Sequence, residues 1–269
     1  MNDANYYDRF AEQEQPKQAE PVKNKKKETM SGSTALSIAK VFGYMFFGLL
    51  ITAAIALGLG AYFGMVLFKD TTDMDAKLAA ANAIILIVLL IISGIAILVL
   101  SFVVPIVAIK GRRSVLVPAI LYSIFMGIFL SSLTIFIDWS ILGVTFGITA
   151  LVFGLMALIA LLSKSRLNGL AIAAIGLFVG AGILSLTLWI LMLFGVFSGY
   201  LYWVIALMTF AAVMFITIWD MARIKHIAEK GEMTKNVSLY CAYILYNDFI
   251  VIFLKILRFV LIIFGSGKK

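Results

Sequence analysis

The sequence predicts an all-α, polytopic membrane protein with seven transmembrane helices. Three observations carry this expectation. First, 63% of the residues are hydrophobic and only 13% are charged, whereas soluble domains are about half apolar and about a quarter charged. A folded surface grows almost as fast as its volume, so a chain of 269 residues cannot hide that excess within itself. Lipid must cover it. Second, several apolar runs exceed the roughly 20 residues needed to cross about 30 Å of hydrocarbon. Between Leu167 and Trp219 there is no Lys, Arg, Asp, Glu or His, and that stretch must fold back on itself. Third, positive charge returns in every second loop, as membrane topology demands.

The chain divides into residues 1–33 and residues 34–269. The first part carries six basic and six acidic side chains and few large apolar ones. Such a composition cannot bury enough surface to offset ordering, so a disordered tail is expected. It has no apolar core followed by a cleavage site, and so does not read as a signal peptide. Lys25, Lys26 and Lys27 suit the face of an anionic leaflet, or simply help to orient the first helix.

Seven apolar segments follow, at about 36–68, 79–109, 115–137, 141–163, 167–194, 200–219 and 237–264. Gly195 to Gly199 supplies the one turn-like break in the long uncharged run. Each segment must be helical, because in hydrocarbon every backbone amide needs a partner within its own segment. Gly60 with Gly64 and Gly176 with Gly180 have the spacing that lets helices approach closely. Pro105 and Pro118 bracket the second loop, where they can kink helix ends.

The loops test the count. Lys110, Arg112 and Arg113 follow the second segment, Lys164 and Arg166 the fourth, and Arg223, Lys225, Lys230 and Lys235 the sixth. The alternate loops are poor in positive charge: Lys69 and Lys77 mix with Asp70, Asp73 and Asp75, and later only Asp138 occurs. The expected N-terminus is therefore cytoplasmic, and the membrane is the plasma (inner) membrane if the source is bacterial. Seven spans put the C-terminus outside, which Lys268 and Lys269 fit poorly.

Several function classes are not expected. Cys241 and His226 are the lone residues of their types, so no intrachain disulfide and no multi-histidine or cysteine metal centre can form within the chain. The chain has no Walker, HExxH, GxSxG or dinucleotide signature, which argues against an enzyme and against a resident cofactor. The net charge of +8 sits in loops that flank spans, so it indicates topology and no nucleic acid partner.

Charges within apolar segments cost about 2.5–3.5 kcal/mol at a helix centre, which singles out two residues. Asp248 lies inside the seventh segment, in Leu245-Tyr246-Asn247-Asp248-Phe249-Ile250, and Asp220 ends the sixth. One loop joins the two helices, so the carboxylates can face each other. Two close carboxylates cannot ionise independently and titrate as a coupled unit. A shared proton makes a strong hydrogen bond; its loss leaves two like charges that push the helices apart. The deprotonated pair offers hard oxygens suited to transient calcium binding. A purely structural reading is also open. Asp220 then pairs with Arg223 or Lys225, and Asp248 with Lys110, Lys255 or Arg258. Lys255 follows Asp248 by two turns, on nearly the same face but too far to bond it.

Asp220-Met-Ala-Arg-Ile-Lys-His-Ile-Ala-Glu, with Leu245-Tyr-Asn-Asp-Phe-Ile-Val-Ile-Phe-Leu-Lys-Ile-Leu-Arg258, resembles the C-terminal signature of the transmembrane Bax inhibitor motif family. The match is strongest over residues 200–260, and the seven-segment layout extends it from about residue 36. The resemblance implies a seven-helix fold with the last helix central. It also implies a pH-sensitive calcium leak controlled by two aspartates, which fall on Asp220 and Asp248. The basic partner found in some members falls on Lys110, with Arg112 and Arg113 close by. Asn247 stands where the family has Leu, as a further oxygen ligand or a hydrogen-bond partner of Asp248, and Trp219 stands where it has Tyr. Lys255 is a departure too, because a positive charge in the same cavity would repel calcium.

The expected function is therefore a proton-controlled cation leak. The alternative is a regulatory protein that binds another membrane protein, such as a membrane protease, through the tail and the Arg223 to Lys235 segment. A secondary transporter is a third class, for which no inverted repeat is visible.

Overall fold

The computed structural model of the chain describes residues 32–67, 73–110, 114–163, 167–194 and 199–266. It is helical throughout these residues, with no strand among them. The helices are α1 (Gly32–Leu67), α2 (Asp73–Lys110), α3 (Leu116–Phe136), α4 (Trp139–Leu162), α5 (Asn168–Leu193), α6 (Gly199–Glu229) and α7 (Lys235–Ser266). Helices α1 to α6 are each long and apolar enough to cross a membrane. The segment 1–31 lies outside the described residues, and the expected tail with it.

Five of the seven helices begin and end where the apolar runs do, to within a few residues. Two differ more. Helix α2 starts at Asp73, before its apolar run, and Pro105 lies inside it. Helix α6 does not stop at Trp219 but continues through the basic stretch to Glu229. Its extension is amphipathic: Met221, Ala222, Ile224 and Ala228 are buried, at the three- and four-residue spacing of one helix face. What was expected to be a loop from Arg223 to Lys235 is therefore mostly helix. Gly231, at φ +73°, ends α6. The Gly231 amide donates to Ala228 O (3.1 Å) and the Glu232 amide to Ile227 O (3.3 Å). This is the paired closure that a left-handed residue just past a helix end permits. Pro118, in the first turn of α3, needs no hydrogen bond there and is tolerated.

Helix α7 is the central element. It packs against α1, α2, α3, α4 and α6. From Leu239 to Ile252 it buries residues on all sides, among them Cys241, Ala242, Tyr243, Leu245 and Tyr246. Helix α5 lies outermost, packed chiefly on α6. Its buried residues form one narrow stripe, Ala174, Ala181 and Leu188. Helices α1 and α3 make the closest pairing, and small residues allow it. A side chain at Gly127 would collide with Ile55 and the Thr52 carbonyl, and one at Gly60 with Thr134. Of the two expected glycine pairs, Gly64 and Gly176 meet nothing within 4 Å, and Gly180 meets only Met208.

Candidate functional site

The seam between α6 and α7 is antiparallel, and three polar pairs record its register. Thr217, whose hydroxyl donates to Val213 O at 2.9 Å, lies beside Asp248. Lys255 Nζ donates to Thr209 Oγ1 at 2.9 Å. The Arg258 guanidinium donates to Tyr202 Oη and lies over that ring, 4.5 Å from its centroid. Each step along α7 away from the turn is thus matched by a step back along α6.

This register brings the two aspartates within electrostatic range of each other. Thr217 and Asp220 are three residues apart and share one face of α6. Asp248 is 9% exposed, and Asp220 is a like charge close enough to interact with it electrostatically. Asp248 Oδ2 is buried with no hydrogen-bond partner among the described residues. Cys241, two turns before Asp248 on the same face, interacts with both Asp220 and Arg223. Asp220 therefore sits between Cys241 and Asp248 along the seam. The cation that acts on it is Arg223, one turn onward, which also lies over the Trp219 ring at 5.5 Å.

The other expected members lie elsewhere. Lys110 is exposed in the last turn of α2. Among the described residues it shares no hydrogen bond or ion pair with either aspartate. Arg112 and Arg113 lie outside the described residues. Lys225 is not a partner of Asp220: its ammonium donates to Leu161 O (2.7 Å) and Ser163 O (2.9 Å), the carbonyls that end α4. Lys255 shares the face of Asp248 but is held by Thr209, two turns deeper. Asn247 turns away from the pair. Its Oδ1 accepts from Tyr122 Oη on α3 at 3.0 Å, because neighbouring residues of a helix point about 100° apart.

Asn247 belongs to a second polar cluster, between α7, α1 and α3. Tyr246 Oη lies 2.6 Å from Thr52 Oγ1. The Thr52 hydroxyl donates to Ser123 O at 2.9 Å. A hydroxyl has one proton, so Tyr246 is the donor of the first bond. Tyr122 stacks edge-on against Tyr243 and Tyr246, with centroids 5.0 and 6.0 Å away. These bonds fix the rotation of α7, and with it the direction in which Asp248 points. Sequence reasoning missed Thr217 and this cluster. The three-residue spacing from Asp220 would have found Thr217; nothing in the sequence pairs Tyr122 with Asn247.

Residues 34–266 match the family described as Inhibitor of apoptosis-promoting Bax1. The chain belongs to this Bax inhibitor family. As a member it is an integral, multi-pass membrane protein, and both aspartates lie inside the matched region. Inner membrane protein YbhL of Escherichia coli K12 is 29% identical to it over 236 residues, covering 86% of this chain and 92% of that protein. The protein of the same name from Escherichia coli O6:H1 gives the same figures. No solved structure gives a significant match.

Proposed function

We propose that this Bax inhibitor family member is a slow, proton-controlled cation leak, with Asp220 and Asp248 as sensor and gate and calcium as the permeant ion. The observation that carries the reading is the α6–α7 seam, where Asp248 is buried with an unpartnered oxygen and a second carboxylate, Asp220, lies within electrostatic range of it. A proton on that oxygen can be shared between the two side chains. With the proton bound, the pair joins the helices by a strong hydrogen bond. Without it, two negative charges in a poorly solvated seam repel each other and drive the helices apart. The exposed oxygens, with the Thr217 hydroxyl, then meet a passing cation. Among the described residues no three His, Cys, Asp or Glu gather at one place. Calcium takes six to eight oxygens, so the pair suits a passing ion better than a resident one.

The charged and titratable groups around the pair set its balance. Arg223 and Cys241 lie at its α6–α7-turn side, and Lys255 lies deeper along the same face of α7. An ion leaving past Lys255 meets a positive charge, which supports a small conductance. The basic loops support a cytoplasmic N-terminus, so that the aspartates lie toward the cytoplasmic side.

The test is calcium flux into liposomes holding the full chain, across about pH 5 to 8. Flux of the native chain is expected to rise with pH, because deprotonation opens the seam. In Asp248→Asn, which cannot share a titrating proton, the pH dependence is expected to vanish. Native flux no greater than that of empty liposomes at every pH sinks the leak.

A further inference from the structure

We infer that the acyl chain of a bilayer phospholipid occupies a cleft between α1, α3, α4 and α7, in the half of the bundle away from the α6–α7 turn. The cleft holds about 360 Å³, within the roughly 300–1,000 Å³ of small-ligand sites. Its floor is apolar and buried: Leu49 and Ala56 of α1, Leu130 of α3, Phe249 and Ile250 of α7. Its mouth is flanked by Leu57 and Phe146, both exposed and both well inside helices that cross the membrane. The cleft thus opens sideways into lipid. Trp139, at the start of α4, stands at the rim, where an indole suits the level of the headgroups.

The lining decides the occupant. No charged side chain and no histidine faces the cleft. Its two hydroxyls are already committed: Thr52 to Ser123 O and Tyr246, and Thr134 to Ala56 O and Ser131 O, at 2.9 and 2.8 Å. A water molecule needs two to four polar partners, and a polar solute needs more than this wall offers. A hydrocarbon chain needs only apolar surface, and the surrounding bilayer supplies one at high concentration.

The test uses the full chain in phosphatidylcholine vesicles doped with a phosphatidylcholine that carries a diazirine within one acyl chain. After illumination and digestion, labelled residues are mapped by mass spectrometry. Label is expected on Phe249 and Ile250, which line the cleft and are buried from annular lipid, as well as on the outer face of α5. A Cβ at Gly143 would meet nothing within 4 Å, and Gly143 lines the cleft. Gly143→Leu is therefore expected to fold, fill the space and lower the α7 label about tenfold while leaving the α5 label unchanged. Should that variant fail to reach the membrane, Ala53→Leu, exposed on the same wall, serves in its place. Native chain with label on α5 but none on α7 overturns the inference. So does an α7 label undiminished in a folded variant, or a cleft that a single cysteine at Ala53, with Cys241→Ser, shows to react freely with a charged aqueous thiol reagent.

Discussion

Helices α5 and α7 are built on opposite rules. Helix α5 has no charged residue, and it is among the most exposed, with Ile175, Val179, Ile183 and Leu186 each more than half accessible. Helix α7 carries Asn247, Asp248, Lys255 and Arg258, and its middle is buried on every side. In water this pairing would be inverted. In a bilayer the apolar surroundings lie outside, so an apolar helix loses nothing by facing out. A helix with polar groups must instead find their partners among its neighbours. The less apolar helix is at the centre because the bundle is where its hydrogen bonds are.

The most disruptive way to break this comparison is to place the central kind of residue on the outer helix. Ile183→Asp, near the middle of α5 and 61% exposed, should cost about 2.5–3.5 kcal/mol of insertion free energy. The inserted fraction in a translocation assay should fall accordingly, whereas native Asp248 is tolerated. Equal insertion of the variant and the native chain would show that α5 does not face lipid. A smaller effect tests how the outer pair is attached. Helix α5 reaches the core through α6, and Lys225 of α6, 15% exposed, ties the end of α4. Hydrogen bonds to charged groups contribute about 1.5–3 kcal/mol, so Lys225→Met should destabilise the protein by about that much, seen as a lower thermal midpoint in detergent. An unchanged midpoint would mean that the ammonium is merely parked there. The smallest effect sharpens the account of α7. Tyr246→Phe removes one interhelical hydrogen bond, expected to contribute about 0.6–1.7 kcal/mol in a membrane bundle. The same denaturation measurement reads it, and a gain in stability would contradict the assigned bond to Thr52.

The sequence made the bundle legible because uninterrupted apolarity and alternating loop charge are one-dimensional signals. The end of α6 was not legible by that criterion. Apolarity stops at Trp219, while the helix continues on the buried face of Met221, Ala222, Ile224 and Ala228. The burial of Asp248 was legible, since it lies well inside an apolar run. The surroundings of the two aspartates were only half so. Arg223 and Thr217 lie at spacings of three from Asp220 and follow from helix geometry. The Lys255–Thr209 bond depends on interhelical register, which no local pattern encodes. Lys110 was placed near the pair by resemblance, whereas it is exposed at the end of α2 and Arg223 is the cation that acts on Asp220.

The closure at Gly231 has a mechanical consequence. Only residues 230–234 separate α6 from α7, so near the turn the two helices are held like the joint of a pair of tongs. Asp220 lies about 15 Å from that pivot at 1.5 Å per residue, and the far end of α6 about 45 Å. A separation of roughly 1 Å at the aspartates, in rigid helices, becomes about 3 Å at the far end. A small push near the pivot would thus be geared up along the lever, and the widest opening would fall at the end where Arg258 holds Tyr202, far from the two carboxylates.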